Sequence, residues 1–160
     1  MSLTPEIPTA SSSRSVLARS PVWRVGVLAS VVAAVVTELF ALGARAIHIP
    51  MVAGSPGAEA GTAAPIPIGG FAIGTLIWSL VGVVLAVVLA RRAKHPARTF
   101  VVTTVVLTVL SLAGPAFAVD TATATKVVLA LSHLVAAAVV IPPLALRLSH
   151  VRPAAGADVD

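Results

Sequence analysis

The residues of this sequence best suited to chemistry are a few polar side chains set inside long apolar runs. Glu38 lies within the apolar run 25–44, Ser111 and His133 lie within two later runs, and Arg45 directly follows the first. An acid and a histidine kept away from water can pass a proton, hold a polar substrate, or pair and fix two segments together. Which of these applies depends on the segments that position them.

The composition indicates a protein that lies in lipid. The chain has 160 residues, of which 58% are hydrophobic and 11% charged, and its mean hydropathy is +1.02, whereas soluble domains carry about 25% charged residues. The absence of cysteine excludes disulfides, thiolate catalysis and cysteine zinc sites. The basic residues behind the net charge of +5 lie at the ends of apolar runs, which indicates membrane orientation rather than nucleic-acid binding.

Four apolar runs are each long enough to cross a bilayer as a helix. The sequence therefore predicts an all-α, four-helix transmembrane bundle over residues 22–148, between disordered tails at 1–21 and 149–160. The spans are expected near 25–46, 68–90, 100–119 and 127–146. A secretory signal is the rival interpretation of the first run, because Ala44-Arg45-Ala46 resembles a cleavage site. The run exceeds the usual apolar length of a signal peptide, so we expect it to be retained.

The distribution of cations predicts the orientation. Arg91, Arg92, Lys94 and Arg98 lie in and around the short connection between the second and third spans, and both tails are also basic. Such segments remain on the cytoplasmic side. We therefore predict a multi-pass protein of the plasma membrane with both termini in the cytoplasm.

Three polar residues are predicted to lie at one depth. At about 1.5 Å per residue, Glu38, Ser111 and His133 lie roughly 10 to 13 Å below the outer edge of their helices. Pro115 cannot donate a hydrogen bond to the carbonyl of Ser111, which leaves an acceptor at that level. Arg45, two turns outward from Glu38, could bend towards the acid or extend to the surface. These side chains are predicted to form an intramembrane polar cluster.

Two functional interpretations follow. In the first, Glu38 and His133 form a structural clasp in a non-enzymatic membrane protein that serves a partner or the envelope. In the alternative, Glu38 is the titrating group of a small proton-linked transporter or permease-like carrier. An enzyme is not expected, because no nucleophile triad, phosphate loop or H-E-x-x-H motif is present.

No cofactor or metal is expected either, since bis-histidine haem needs two facing intramembrane histidines and only His133 is placed there. The lipid bilayer is the expected partner. A protein partner and a second copy of the chain both remain open.

Glycine and proline residues predict how the helices pack and bend. Gly70 and Gly74 form a GxxxG pair, which allows helix backbones to approach closely in lipid, and we expect packing within one chain rather than between two. Gly114-Pro115 and Pro142 are the expected sites of helix distortion.

The segments Ser111-Leu-Ala-Gly114-Pro115 and His133-Leu-Val-Ala-Ala-Ala-Val-Val-Ile-Pro142 carry a family resemblance. They resemble a family of four-span membrane proteins common in actinobacteria and known as a domain of unknown function. The resemblance extends over about residues 22–148 and implies four spans, without an activity or site residues. Small multidrug transporters are similar in having four short spans with an acid in the first, although this chain has a larger first loop and lacks their aromatic-rich binding surface.

Overall fold

The computed structural model describes residues 20–151 and is mostly helical. The elements, in chain order, are α1 (Val22–Ala46), β1 (Val52–Ala53), β2 (Ala64–Pro65), α2 (Gly70–Arg92), α3 (Pro96–Ser111), α4 (Ala113–Phe117) and α5 (Thr123–Ser149). Most of the two predicted tails lies outside the described residues.

Among residues 20–151, four helical segments are long and apolar enough to cross a membrane: α1, α2, the segment Pro96–Phe117 that comprises α3 and α4, and α5. They agree with the four predicted spans to within a few residues at each end. Their outward surface carries large apolar side chains, with Trp78 76% exposed and Leu28 65% exposed. Such a surface is unfavourable in water and suited to lipid, which indicates a multi-pass membrane protein.

Small residues on α1 allow it to pack closely against its neighbours α2 and α5. The buried side of α1 is almost entirely Gly, Ala, Ser and Thr. At Gly26, an added Cβ would lie 2.6 Å from Cγ2 of Val83 on α2, so only glycine fits there. This is the close backbone approach that small residues provide between membrane helices.

The third span is interrupted near its end. Helix α3 ends at Ser111 and α4 begins at Ala113, shortly before the buried Pro115. Proline removes the hydrogen bond to the carbonyl four residues earlier, that of Ser111, which explains why the break falls here. In contrast, α5 continues through Pro142 and Pro143 without interruption.

The loop of residues 47–69 packs against the end of the bundle at which α1 ends and α5 begins. Strands β1 and β2 pair antiparallel, with Val52 opposite Pro65 and Ala53 opposite Ala64. The ladder stops at two pairs, because the prolines of this loop have no amide hydrogen to donate to a longer one.

Contacts with the connection between α4 and α5 attach this loop to the bundle. The amide of Gly54 donates to the carbonyl of Val119 (3.1 Å), and the Thr125 hydroxyl donates to the carbonyl of Pro50. We call this side of the bundle the loop end. The opposite side, where α1 begins, α2 and α3 meet and α5 ends, is the basic end.

Candidate functional site

Glu38 caps the start of a neighbouring helix. Its Oε1 accepts a hydrogen bond from the amide of Gly69 (2.8 Å) and its Oε2 accepts one from the amide of Ala72 (3.1 Å). Gly69, the N-cap residue of α2, has a φ of 88° and no side chain with which to cap. The first amides of a helix have no partner within it, and its N-terminus carries partial positive charge. A carboxylate supplied by α1 satisfies both needs.

Arg45 holds the chain just before that helix start. Its Nη2 donates to the carbonyls of Ile66 (3.0 Å) and Pro67 (3.2 Å). Its Nη1 lies 3.6 Å from Oε1 of Glu38, and the guanidinium carbon lies 6.0 Å from the centre of the Phe71 ring. The two charged residues, two helical turns apart on α1, therefore bind carbonyls and amides on either side of one turn.

The pair is largely removed from solvent. The side chains of Arg45 and Glu38 are 20% and 14% exposed. The Nη1 atom of Arg45 is buried and has no hydrogen-bond partner among residues 20–151, so the nearby carboxylate is its electrostatic compensation. An uncompensated charge in this position would be costly. We call Glu38, Arg45 and the backbone groups they bind the clasp.

His133 and Ser111 are satisfied within their own helices. The Nδ1 of His133 lies 2.7 Å from the carbonyl of Leu129, which can only accept, so Nδ1 carries the hydrogen. The Ser111 hydroxyl donates to the carbonyl of Thr108 (2.7 Å). Within residues 20–151, neither side chain forms a hydrogen bond or ion pair with Glu38. Of the four predicted cluster residues, the structure therefore brings together Glu38 and Arg45.

Geometry explains why Glu38 binds the start of α2 and not His133. The start of α2 lies beside Glu38 and has no side-chain cap, whereas the Nδ1 hydrogen of His133 is donated to a carbonyl of its own helix α5. Sequence reasoning missed the backbone groups of Gly69 and Ala72. The available signal was the span predicted from residue 68, which begins Ile68-Gly69-Gly70 after a proline-rich loop and has no Ser, Thr, Asp or Asn to cap it.

A second polar link between α1 and α2 was also missed. The hydroxyls of Thr37 and Thr75 lie 2.9 Å apart, and Thr37 is fully buried. Thr37 adjoins Glu38 in the sequence, so the hydroxyl contact reinforces the same helix pair one position from the clasp.

The predicted GxxxG pair contributes less to packing than expected. An added Cβ at Gly70 would lie 3.1 Å from Cγ2 of Ile66, a contact with the preceding loop. At Gly74 and Gly114 it would meet nothing within 4 Å among the described residues. The glycine that permits close helix approach is Gly26 on α1.

A shallow apolar groove of about 340 Å³ runs between α1 and α2 and reaches Glu38. Its walls include Val31, Val35 and Leu39 from α1 and Leu76 from α2. Both oxygens of Glu38 are already hydrogen-bonded, so the groove presents an apolar surface beside an occupied carboxylate. In the described part of the chain, no group of three or more His, Asp or Glu side chains could hold a metal ion.

Comparisons with known proteins identify a family and assign no activity. Neither the curated proteins nor the solved structures contain a match to this sequence. Residues 17–150, most of the chain, match a family described as a family of unknown function, DUF6069. The chain belongs to the DUF6069 family.

Proposed function

We propose that this chain is a non-enzymatic, multi-pass protein of the plasma membrane that presents the loop 47–69 in a fixed conformation to a partner outside the cytoplasm. The clasp carries this proposal. Glu38 uses both carboxylate oxygens to bind backbone amides at the point where the loop enters α2. Because both oxygens are engaged, Glu38 stabilises the conformation of the loop at this point.

The loop has more attachments than a simple connection needs. Besides the clasp, the Gly54 amide contacts Val119 and Thr121, and the Gly61 amide donates to the Asp120 carboxylate. Long loops inside compact domains are uncommon and are usually functional. The tip nevertheless remains accessible, since Glu59 and its neighbours Ala60 and Gly61 are exposed. An ordered, exposed loop on a rigid helical support is a frequent form of recognition surface.

The charge distribution supports an outward-facing loop end. Every acid among the described residues, namely Glu38, Glu59 and Asp120, belongs to the loop end. The basic end carries the cations Arg24, Arg91, Arg92, Lys94, Arg98 and Arg147. By the positive-inside rule the basic end faces the cytoplasm. Helix α1 begins and helix α5 ends at this basic end.

A proton-linked carrier is the second candidate, and the groove between α1 and α2 favours it. A carrier needs an ionisable group that a substrate or a proton can reach, and this groove reaches Glu38. To carry protons, Glu38 would have to release the amides of Gly69 and Ala72 in each cycle. The two candidates therefore differ in whether Glu38 acts as a fixed cap or as a titrating group.

Two measurements on proteoliposomes of the full chain and its Glu38→Gln and Glu38→Ala variants distinguish them. If Glu38 acts as a fixed cap, we expect amide hydrogen exchange at residues 66–73 to become faster in both variants, and most in Glu38→Ala. We also expect no proton flux above that of empty liposomes. If the chain is a proton-linked carrier, proteoliposomes of the unmodified chain would dissipate a pH gradient and those of Glu38→Gln would not. That result, with unchanged exchange at 66–73, would overturn the proposal.

A further inference from the structure

The basic end holds a groove of about 280 Å³ between the turn that joins α2 to α3 and the end of α5. Lys94, His95 and Arg98 line one side, and Leu148, Ser149 and Val151 line the other. The three basic side chains are exposed, and the partly exposed Ala97 and Val151 form an apolar base above the buried Pro96 and Leu148. The groove thus combines a cationic rim with an apolar floor.

The cations of this rim are uncompensated within residues 20–151. The acids of that range all belong to the loop end, and its ion pair is formed there, between Arg45 and Glu38. Neither Lys94 nor Arg98 has a side-chain hydrogen bond or ion pair with another described residue. Arg147, by comparison, is engaged, because its Nε donates to the carbonyl of Ser20. Lys94 and Arg98 remain available to an external anion.

We propose that this groove binds the phosphate headgroup of an anionic phospholipid. Lys94 and Arg98 supply the positive charge and hydrogen-bond donors that a phosphate requires, and the guanidinium can bind two phosphate oxygens at once. The partly exposed apolar surface of Ala97 and Val151 suits the apolar part of the same molecule, which a free phosphate lacks. Basic pockets between membrane helices are known to hold such headgroups. The ligand class is therefore an amphiphile with a phosphate group.

The groove differs from a diffuse basic surface, and a matched pair of variants separates the two. Lys94→Gln with Arg98→Gln removes two cations that line the groove. Arg91→Gln with Arg92→Gln removes two exposed cations from the last turn of α2, outside it. Both double variants lower the charge of the basic end equally. A general electrostatic attraction would be weakened to the same extent by either.

The test is native mass spectrometry of the full chain in detergent, titrated with phosphatidylglycerol or with phosphatidylcholine of the same acyl chains. At about 1 kcal/mol per cation, loss of two should weaken phosphatidylglycerol binding about 30-fold for the groove variant. For the control variant we expect less than about a three-fold change, because its two exposed cations lie outside the groove and exposed charge pairs contribute only about 0 to 1 kcal/mol. We also expect the unmodified chain to prefer phosphatidylglycerol over phosphatidylcholine by about ten-fold or more.

Three results would overturn the proposal. These are equal losses in the two double variants, no preference for the anionic lipid, and displacement of the lipid by inorganic phosphate at matched concentration. The last result would identify a site for free phosphate. Thermal unfolding of each variant in the same detergent serves as the folding control, and inorganic phosphate alone is the probe for the soluble anion.

Discussion

Substitution of Glu38 tests the clasp quantitatively. Glu38→Ala removes two hydrogen bonds between a carboxylate and backbone amides, at 2.8 and 3.1 Å. Hydrogen bonds to charged groups contribute about 1.5 to 3 kcal/mol each. Because Glu38 is 14% exposed, water can replace part of that interaction, and we take the lower value. The expected loss in the free energy of unfolding is about 3 kcal/mol.

The same hydrogen-bond energies predict how much stability the other variants of the clasp lose. Glu38→Gln keeps one acceptor oxygen but removes the charge, so it should retain one neutral hydrogen bond of about 1 kcal/mol and lose about 2 kcal/mol. Arg45→Met removes the cation that lies 3.6 Å from Oε1 and the donor to Ile66 and Pro67. Residues in direct contact are not independent, so the double variant of Glu38→Gln and Arg45→Met should lose less than the sum, by about 1 kcal/mol or more.

Equilibrium unfolding in mixed detergent micelles, followed by the fluorescence of Trp23 and Trp78, measures these differences. Glu59→Gln is the matched control, because it removes an exposed carboxylate from the same loop and should change stability by less than about 0.5 kcal/mol. The reasoning would be refuted if Glu38→Ala were as mild as this control. It would also be refuted if the double variant equalled the sum of the single ones.

Three further predictions concern packing and the basic end. Gly26→Ala should destabilise the bundle by about 1 to 3 kcal/mol, because its Cβ would lie 2.6 Å from Cγ2 of Val83, while Gly74→Ala should be neutral or stabilising; equal effects in thermal unfolding would contradict this. Gly54→Ala should increase amide exchange in the loop 47–69 by about ten-fold or more, because its Cβ would lie 2.5 Å from the carbonyl oxygen of Val119; unchanged exchange would show that the loop is not fixed there. Loss of the two groove cations should weaken binding of the anionic lipid about 30-fold in native mass spectrometry, and equal weakening in the control variant would contradict it.

The four spans could be predicted from the sequence because length and composition suffice for that purpose. A run of about twenty apolar residues has few folded alternatives to a membrane-crossing helix. A break in the helix falls at one of the two expected sites, next to Gly114-Pro115, but not at the other, since α5 continues through Pro142 although that proline also removes a hydrogen bond. The orientation rests on the same cations that define the basic end, and it stays a prediction.

The partner of Glu38 could not be predicted in the same way. Depth along a helix follows from counting residues, but the direction in which a side chain faces depends on how the helices are rotated about their axes. Ser111 and His133 lay at a suitable depth, yet each found a carbonyl three or four residues earlier in its own helix, a common solution for polar side chains in helices. The groups that bind Glu38 are backbone amides, which no residue type identifies.

Labelling of single cysteines most directly tests the claim that the clasped loop lies outside and both ends of the chain lie inside. The chain has no cysteine of its own, so Ala60→Cys in the loop and Ser149→Cys at the end of α5 each give one reactive site, and both positions are exposed. We predict that a membrane-impermeant maleimide labels the Ala60→Cys variant in intact cells and the Ser149→Cys variant only after permeabilisation. Labelling of Ser149→Cys in intact cells, or protection of Ala60→Cys until permeabilisation, would contradict the account.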